Sequence, residues 1–211
     1  MRELEKLLDR IIQRININLR ELDFDITPFI KKLVPLKRMV KFYAFYGITP
    51  NHPLDLVFRH SSLAGSYFLG KIRTRNSILY KSDIRGDELK QHGDVFHYQK
   101  FKIPITRDEG IDIEDSYLIK TLVHNFSHDP ETLEKFFIRD TVSTQGANIH
   151  GSPSDGCFLG PLATVDLTTM RDCVIGTYSY VQAGEIGHLN VRPGTIWVRS
   201  PGDFNFLYQH P

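Results

Sequence analysis

The chain has 211 residues, with 26 basic and 25 acidic side chains and a formal net charge of +1. This length accommodates one sizeable core, or one main domain with a helical attachment. The balanced charge excludes the overall basic surface that is typical of nucleic-acid-binding proteins. The N-terminus has neither the apolar core of a signal peptide nor a run long enough to span a bilayer. Two cysteines, Cys157 and Cys173, are too few for a disulfide framework, so we expect a soluble cytoplasmic protein with free thiols.

Apolar residues recur at helical spacing near the N-terminus, at Leu4, Leu7, Leu8, Ile11, Ile12, Ile15 and Leu19. This spacing predicts an amphipathic helix over residues 4–19. Thr27-Pro28 is typical of a helix start, because threonine caps a helix and proline suits its first turn, and Pro35 breaks or kinks this second helix. The periodicity changes at about residue 54. Residues 1–53 are therefore predicted to form a helical N-terminal extension.

The next part of the chain has aliphatic or related residues six positions apart, namely Ile72, Ile78 and Ile84; Ile113 and Ile119; Ile138 and Thr144; Leu159 and Val165; and Ile175 and Val181. A parallel β-helix with six-residue sides brings every sixth side chain to the same inward corner, whereas neither a helix nor a single strand does so. The spacing predicts such a β-helix over residues 54–190.

Interruptions of the six-residue spacing indicate two inserted loops, at about residues 88–110 and 125–137. The second loop contains Asp129-Pro130, which predicts the start of a short helix. Residues 191–211 are predicted to form a C-terminal tail. This tail contains a late strand, Thr195 to Val198, between two Pro-Gly turns, and we expect that strand to leave the β-helix.

Two segments carry a resemblance to a known superfamily. The segment from Ser77 to Asp87 ends in Arg-Gly-Asp, and the segment from Cys173 to Gly184 begins with Cys-x-Ile-Gly. In this order they resemble the hexapeptide-repeat proteins that fold as left-handed β-helices, and within these the γ-carbonic-anhydrase-like branch. The resemblance covers roughly residues 63–187. It implies a mainly β fold: a left-handed parallel β-helix with an α-helical N-terminal extension and inserted loops. It also implies a homotrimer with small-molecule sites in the grooves between subunits.

The resemblance also implies residues that contact a substrate. Arg85 and Asp87 correspond to the charged network beside the family's active groove, although an intersubunit ion pair without a catalytic role is an equal alternative. Gln145 lies near the position of the family's active-groove glutamine. Together with Arg171, these residues form the predicted substrate-binding set.

The metal site is where the sequence departs from the γ-class pattern. That class holds zinc or a related ion with three histidines, and the bound water is activated by the metal. The segment that ends at His150 resembles the first ligand segment. The segment that resembles the second ends at Asp166, and Arg171 takes the third place, where a fixed cation repels a divalent metal. The resemblance therefore implies a γ-carbonic-anhydrase-like protein that is not an efficient carbonic anhydrase.

The spacing between coils leaves a rearranged site open. His124, His150 and Arg171 each follow an aliphatic coil residue by nearly the same distance along the chain, which predicts that they stack near one corner. With the coil assignment shifted by one turn, His124, His128 and His150 become a candidate ligand set for zinc or another divalent metal. The alternative is that these histidines are hydrogen-bonded structural groups.

Three classes of function remain open from the sequence, the third of which is a small-molecule hydrolase or lyase that uses the rearranged histidines. One is a γ-carbonic-anhydrase-like protein with an altered metal site, which acts as a degenerate metal-dependent lyase or as a trimeric binding module. The alternative is a hexapeptide acyltransferase that takes an acyl-CoA donor. In that case His150 is the predicted general base toward an amine or hydroxyl acceptor, ahead of His124 and His128. A bound metal would favour the first class, and stabilisation by acyl-CoA would favour the second.

Overall fold

The computed structural model describes residues 1–30, 33, 35–39, 42–47, 54–86, 91–125, 131, 133, 136–200 and 202–211. In these residues the chain winds into a three-sided coil of parallel strands, and one long helix packs along one of the three sides. None of the described helices is long and apolar enough to cross a membrane.

Helices are confined to the N-terminal part of the described chain. The first, α1, spans Arg2–Asn18, and the second, α2, spans Thr27–Ile30. Both confirm the predicted helix positions. Short 3₁₀ turns follow at Arg20–Leu22 and Leu36–Arg38.

The strands are, in chain order, β1 (Tyr43–Tyr46), β2 (Asp55–Arg59), β3 (Ser66–Leu69), β4 (Lys71–Arg75), β5 (Ile78–Tyr80), β6 (Asp83–Arg85), β7 (Val95–Tyr98), β8 (Phe101–Pro104), β9 (Ile111–Glu114), β10 (Tyr117–Ile119), β11 (Leu122–His124), β12 (Phe136–Arg139), β13 (Val142–Ser143), β14 (Asn148–His150), β15 (Ser154–Asp155), β16 (Phe158–Leu159), β17 (Thr164–Asp166), β18 (Thr168–Arg171), β19 (Val174–Ile175), β20 (Tyr180–Gln182), β21 (Gly184–Gly187), β22 (Asn190–Val191), β23 (Thr195–Ser200) and β24 (Phe204–Gln209).

These strands form three long sheets, which are the three sides of the coil. Sheet A contains β1, β3, β6, β11, β14, β17, β20, β23 and β24 in spatial order. Sheet B contains β2, β4, β9, β12, β15, β18 and β21, and sheet C contains β5, β10, β13, β16, β19 and β22. From β4 to β23, apart from β7 and β8, each coil passes through sheet B, then sheet C, then sheet A, so that each of these strands pairs in parallel with its equivalent in the next coil.

The corner between sheets B and C turns through one residue in the left-handed conformation. This position is held by Asn76, Asp115, Asp140, Gly156, Asp172 and His188 in successive coils. Asparagine and aspartate tolerate positive φ better than most residues, because their short polar side chains bond locally. The sequence therefore supplies suitable corner residues without needing a glycine in every coil.

The interior of the coil holds the main hydrophobic core, in which Leu159, Val165, Ile175 and Val181 are fully buried, as predicted. The prediction that residues at the six-residue spacing face inward is wrong for Ile78 and Ile119, which point outward from sheet C and pack against α1. Their neighbours Leu79 and Leu118 point inward instead. Successive strand residues face opposite sides, and sheet C is apolar on both faces because a helix covers its outer one.

Helix α1 is fixed to sheet C and to the corner beside it. Ile11 and Ile15 are fully buried against the outer face of the sheet. At the corner, Arg10 binds Asp115 at 2.7 Å. Arg14 forms a two-pronged ion pair with Asp140, in which Nη2 is 2.6 Å from Oδ2. The apolar face of α1 therefore covers the outer face of sheet C, and its arginines bind aspartates at the corner beside that sheet.

The two cysteines lie within the coil, where they are buried as free thiols. The Sγ atoms of Cys157 and Cys173 each donate to the carbonyl oxygen two residues earlier. Ser116 and Thr141 make the same bond in preceding coils. The cysteines are thus members of a row of short polar side chains that bond to the turn, and burial raises the pKa of the Cys157 thiol.

The predicted division into residues 1–53, 54–190 and 191–211 remains a prediction, but two of its details differ from the structure. Strand β1 lies within the predicted helical extension and pairs in parallel with β3. Strand β23 does not leave the coils, because it pairs in parallel with β20. Within the C-terminal tail, β24 changes direction and pairs antiparallel with β23.

The inserted loops leave the coil from the same corner, between sheets A and B. The first follows Gly86, and its described part contains the antiparallel hairpin of β7 and β8. The second follows Asn125, and the helix predicted at Asp129-Pro130 lies outside the described residues. Both loops therefore start directly beyond the ends of β6 and β11.

Candidate active site

Four polar side chains form a row at the C-terminal ends of four neighbouring strands of sheet A. Parallel pairing places Arg85 beside His124, His124 beside His150, and His150 beside Asp166. Each of them directly follows a buried, inward-facing residue of its strand, so each projects from the outer face of the sheet. We call Arg85, His124, His150 and Asp166 the sheet A row.

The shortest contact in the sheet A row joins His150 to Asp166. Nδ1 of His150 is 2.6 Å from Oδ1 of Asp166, and the two side chains are 30% and 21% exposed. Because a carboxylate only accepts hydrogen bonds, Nδ1 carries the proton in this pair. The lone pair of a neutral His150 then lies on Nε2, the nitrogen that is left for a substrate.

His124 packs against His150 but is less accessible to a ligand. The two imidazole rings are stacked, with centroids 5.0 Å apart and planes inclined by 23°. Nε2 of His124 is buried, whereas the His150 side chain is partly exposed. His150 is therefore the better placed of the two for a proton transfer to or from a ligand.

Tyr180 extends the hydrogen-bond network from the next coil. Its hydroxyl lies 3.1 Å from Oδ2 of Asp166 and 3.2 Å from Oε1 of Gln182. Burial, followed by the contact with Asp166, raises the pKa of Tyr180. Tyr180 is not among the site residues predicted from the sequence.

The structure corrects the predicted position of Arg171. This residue lies on sheet B, where it pairs with Asp155 and Gly187, so it does not stack with His124 and His150. Asp166 takes that place instead. His150 and Asp166 are 16 residues apart, which is the length of one coil in this part of the chain. Residues at this spacing in the sequence are therefore expected to be neighbours in the sheet.

Of the other predicted site residues, Arg85 and Gln145 are among those that the structure describes. Arg85 lies in the sheet A row, next to His124. Gln145 is exposed in the turn before β14, at the opposite end of that strand from His150, and its contact with a substrate remains a prediction. Asp87 and His128 lie outside the described residues.

The predicted zinc site of His124, His128 and His150 remains a prediction. The bond from Nδ1 of His150 to Asp166 leaves the lone pair on Nε2 of His150 available, and Nε2 of His124 is buried. Among the described residues, no group of three or more His, Cys, Asp or Glu side chains is arranged to hold a metal ion. His128, the third predicted ligand, is not among them.

A sizeable groove lies elsewhere on the described surface, between α1 and the first coil. It encloses about 500 Å³ and is lined in part by Leu4, Leu7 and His60. Its acid–base contact joins the exposed side chains of Lys6 and Glu3, and none of the lining residues forms a histidine–carboxylate pair like that of His150 and Asp166. Volume alone therefore does not identify the site, and the chemistry favours the sheet A row.

The repeated coils and their inserted loops agree with the comparison to protein families. Residues 101–211 match the family described as "Hexapeptide repeat including loop". The match extends over more than half of the chain, which therefore belongs to this hexapeptide-repeat family. The predicted fold class, a left-handed parallel β-helix, is confirmed.

A solved structure from Desulfovibrio desulfuricans G20, described as a "putative acetyltransferase", is similar to almost the whole chain. The identity is 49%, the TM-score is 0.87, and 99% of this chain is covered. The chain spans only 46% of the length of that protein. No curated protein matches the chain.

Two further structures show weaker likenesses. One, from Bacillus cereus, is also described as a "putative acetyltransferase". Its identity is 14%, its TM-score is 0.36, and the match covers 83% of this chain and 81% of that one. The other is a hexapeptide transferase family protein from Anaplasma phagocytophilum, with 17% identity, a TM-score of 0.28, and coverage of 80% and 83%. Neither likeness is close enough to carry an argument. The comparisons support the hexapeptide-repeat superfamily and give no support to its γ-carbonic-anhydrase-like branch.

Proposed function

We propose that this protein is an acyltransferase that takes an acyl-CoA donor and uses His150 as the general base. The observation that carries the proposal is the 2.6 Å contact between Nδ1 of His150 and Oδ1 of Asp166 on a partly exposed sheet face. An imidazole that is held in one tautomer by a carboxylate is suited to removing a proton from an acceptor. The likeness to an acetyltransferase-described structure supports the same class of reaction.

In the proposed reaction, Nε2 of His150 accepts the proton of an amine or hydroxyl acceptor as that group attacks the thioester carbonyl. The bond from the carbonyl carbon to sulfur then breaks, and the proton passes from His150 to the leaving thiolate. The products are the acylated acceptor and free CoA. Asp166 stabilises the imidazolium that forms between the two proton transfers.

We further propose that the site is completed by a second copy of the chain, in a homotrimer with the ligand in the groove between subunits. His150 projects from an open sheet, which by itself forms only one wall of a binding groove. Both inserted loops follow strands of the sheet A row, directly after β6 and β11. Light scattering coupled to gel filtration would test this, and a monomer that retains activity would contradict it.

The buried free thiols support a cytoplasmic location as part of this proposal. Cys157 and Cys173 lie in adjacent coils as buried free thiols, and a chain with so few cysteines and no disulfide framework is typical of a reducing compartment. Their burial also helps the activity assay, because they add little background to a reagent that detects released CoA thiol.

The first test of the function is binding and turnover of acetyl-CoA by the full chain. Binding of the donor is expected to raise the melting temperature of the protein, because a ligand that binds only the folded state stabilises it. Thiol release is then followed with a panel of amine and hydroxyl acceptors. His150→Ala should lower kcat/KM about 10²- to 10⁴-fold, the usual contribution of a general base.

His210→Ala is the matched control, since His210 is an exposed C-terminal histidine far along the chain from the sheet A row. Asp166→Asn should lower kcat/KM at least about tenfold, because an amide does not hold the same imidazole tautomer. No stabilisation at millimolar acetyl-CoA, together with no thiol release above the rate without protein, would refute the proposed function. Equal activity of wild type and His150→Ala would refute the role of His150.

A further inference from the structure

Asp166 is held from both of its neighbouring strands. Its Oδ1 bonds to Nδ1 of His150 on β14, and its Oδ2 accepts a hydrogen bond from the hydroxyl of Tyr180 on β20. Rotation of the carboxylate would break one of these bonds. The carboxylate plane is therefore fixed by two partners that belong to different coils.

Tyr180 reaches Asp166 diagonally across the sheet. The strand register pairs Tyr180 with Thr164, two positions before Asp166, so the length of the tyrosine ring is needed to bridge the two strands. The hydroxyl has one proton and two nearby acceptors, the carboxylate of Asp166 and the amide oxygen of Gln182. A charged acceptor forms the stronger bond, so the proton is directed to Asp166.

From this geometry we propose that Tyr180 is a positioning residue, which fixes Asp166 and thereby keeps His150 in the tautomer with the proton on Nδ1. The catalytic value of this arrangement rests on the proposed function. Because the pKa of Tyr180 is raised, its hydroxyl stays protonated and able to donate throughout the physiological pH range. Without this donor, the carboxylate is free to turn and the two imidazole tautomers become closer in population.

The test is ¹⁵N NMR of histidine-labelled full-length protein, in which the ring nitrogen shifts report the tautomer of His150. Wild type is expected to show His150 with the proton on Nδ1. Tyr180→Phe should lower the ratio of this tautomer to the other roughly tenfold, the effect of one hydrogen bond to a charged group. Tyr178→Phe is the matched control, because Tyr178 lies on the same coil but is 68% exposed in a turn.

A second variant, at the other acceptor of the Tyr180 hydroxyl, should leave the tautomer of His150 unchanged. Gln182→Met removes the competing acceptor, so the Tyr180 hydroxyl should donate to Asp166 alone, and the wild-type tautomer should persist. An unchanged tautomer ratio in Tyr180→Phe would overturn the proposal, as would an equal loss in Gln182→Met. Thermal melting of each variant confirms that the fold is intact.

The NMR result separates this inference from the proposed function. If acetyl-CoA neither binds nor reacts but Tyr180→Phe still shifts the tautomer, then the acyltransferase proposal fails and the positioning role stands. If acyl transfer depends on His150 but Tyr180→Phe leaves both the tautomer and the pH profile of kcat/KM unchanged, then the positioning role fails alone.

Discussion

Substitution of Gly176 by alanine tests whether coil packing explains the Cys-x-Ile-Gly segment. An added Cβ at this position would lie 2.3 Å from the backbone nitrogen of Pro193 and 2.6 Å from the carbonyl carbon of Arg192. Both distances are roughly 1 Å shorter than an ordinary carbon contact of about 3.5 Å. Gly176 does not have a left-handed φ, so the close approach of the next coil is what requires glycine here.

The turn at Arg192 and Pro193 cannot move away without cost. The hydroxyl of Ser179 donates to the carbonyl of Arg192 at 2.9 Å, and the N–H of Gly194 donates to Thr177 at 2.8 Å. Overpacking by one methyl group costs about 1–3 kcal/mol, and one weakened hydrogen bond adds about 1 kcal/mol. We therefore expect Gly176→Ala to lower the free energy of unfolding by about 3 kcal/mol.

For a chain of this size, that loss corresponds to a decrease in melting temperature of about 6–12 °C. Gly187→Ala is the matched control, because its added Cβ would meet only the carbonyl oxygen of Arg171, at an ordinary 3.7 Å. Chemical denaturation followed by circular dichroism gives both free energies. If the two variants unfold within about 0.5 kcal/mol of each other, the packing explanation for Gly176 is refuted.

Two further substitutions probe other parts of the molecule. Ile15→Ala should lower the free energy of unfolding by about 2–5 kcal/mol in a denaturation curve, because Ile15 is fully buried between α1 and sheet C. Ile17→Ala, which changes a 57% exposed residue of the same helix, should leave the curve almost unchanged, and equal losses would contradict the docking of α1. Burial raises the pKa of Asp155, so its contribution to stability is present below the ordinary aspartate pKa and is lost as pH rises through the raised value. Asp155→Asn should therefore raise the melting temperature at pH 7 but not at pH 3, and the opposite pH trend would contradict this reasoning. Asp203→Asn, which changes an exposed aspartate in the turn before β24, is the matched control.

The architecture was predictable because coil packing imposes a spacing that no other fold produces. Leu159, Val165, Ile175 and Val181 lie in coils without insertions, and all four are in the core as predicted. The spacing misassigned Ile78 because sheet C is apolar on both faces, so that two adjacent residues of β5 compete for the inward position. Spacing alone does not tell a residue that faces the core from one that faces a covering helix.

The candidate site was only partly predictable. His150 and His124 were found because histidines at the ends of successive coils stand out, and the structure stacks their rings. The sequence predicts Arg171 beside the histidines, but Arg171 lies on sheet B and Asp166 takes that place. The aliphatic coil residues that precede these side chains belong to different sheets in different coils, so distances along the chain from them do not identify equivalent positions one whole coil apart.

The same row of a β-helix can suit a metal or a general base, because the two kinds of site need different arrangements of lone pairs. Adjacent parallel strands lie about 4.8 Å apart, so short side chains at equivalent positions contact each other directly. A zinc site needs several lone pairs that converge on one point, whereas a general base needs one lone pair and a group that holds the ring. In the described residues, Asp166 holds the ring of His150 and leaves Nε2 available, while Nε2 of His124 is buried. A single oriented imidazole suits proton transfer, which is the step that the proposed acyltransferase requires of His150.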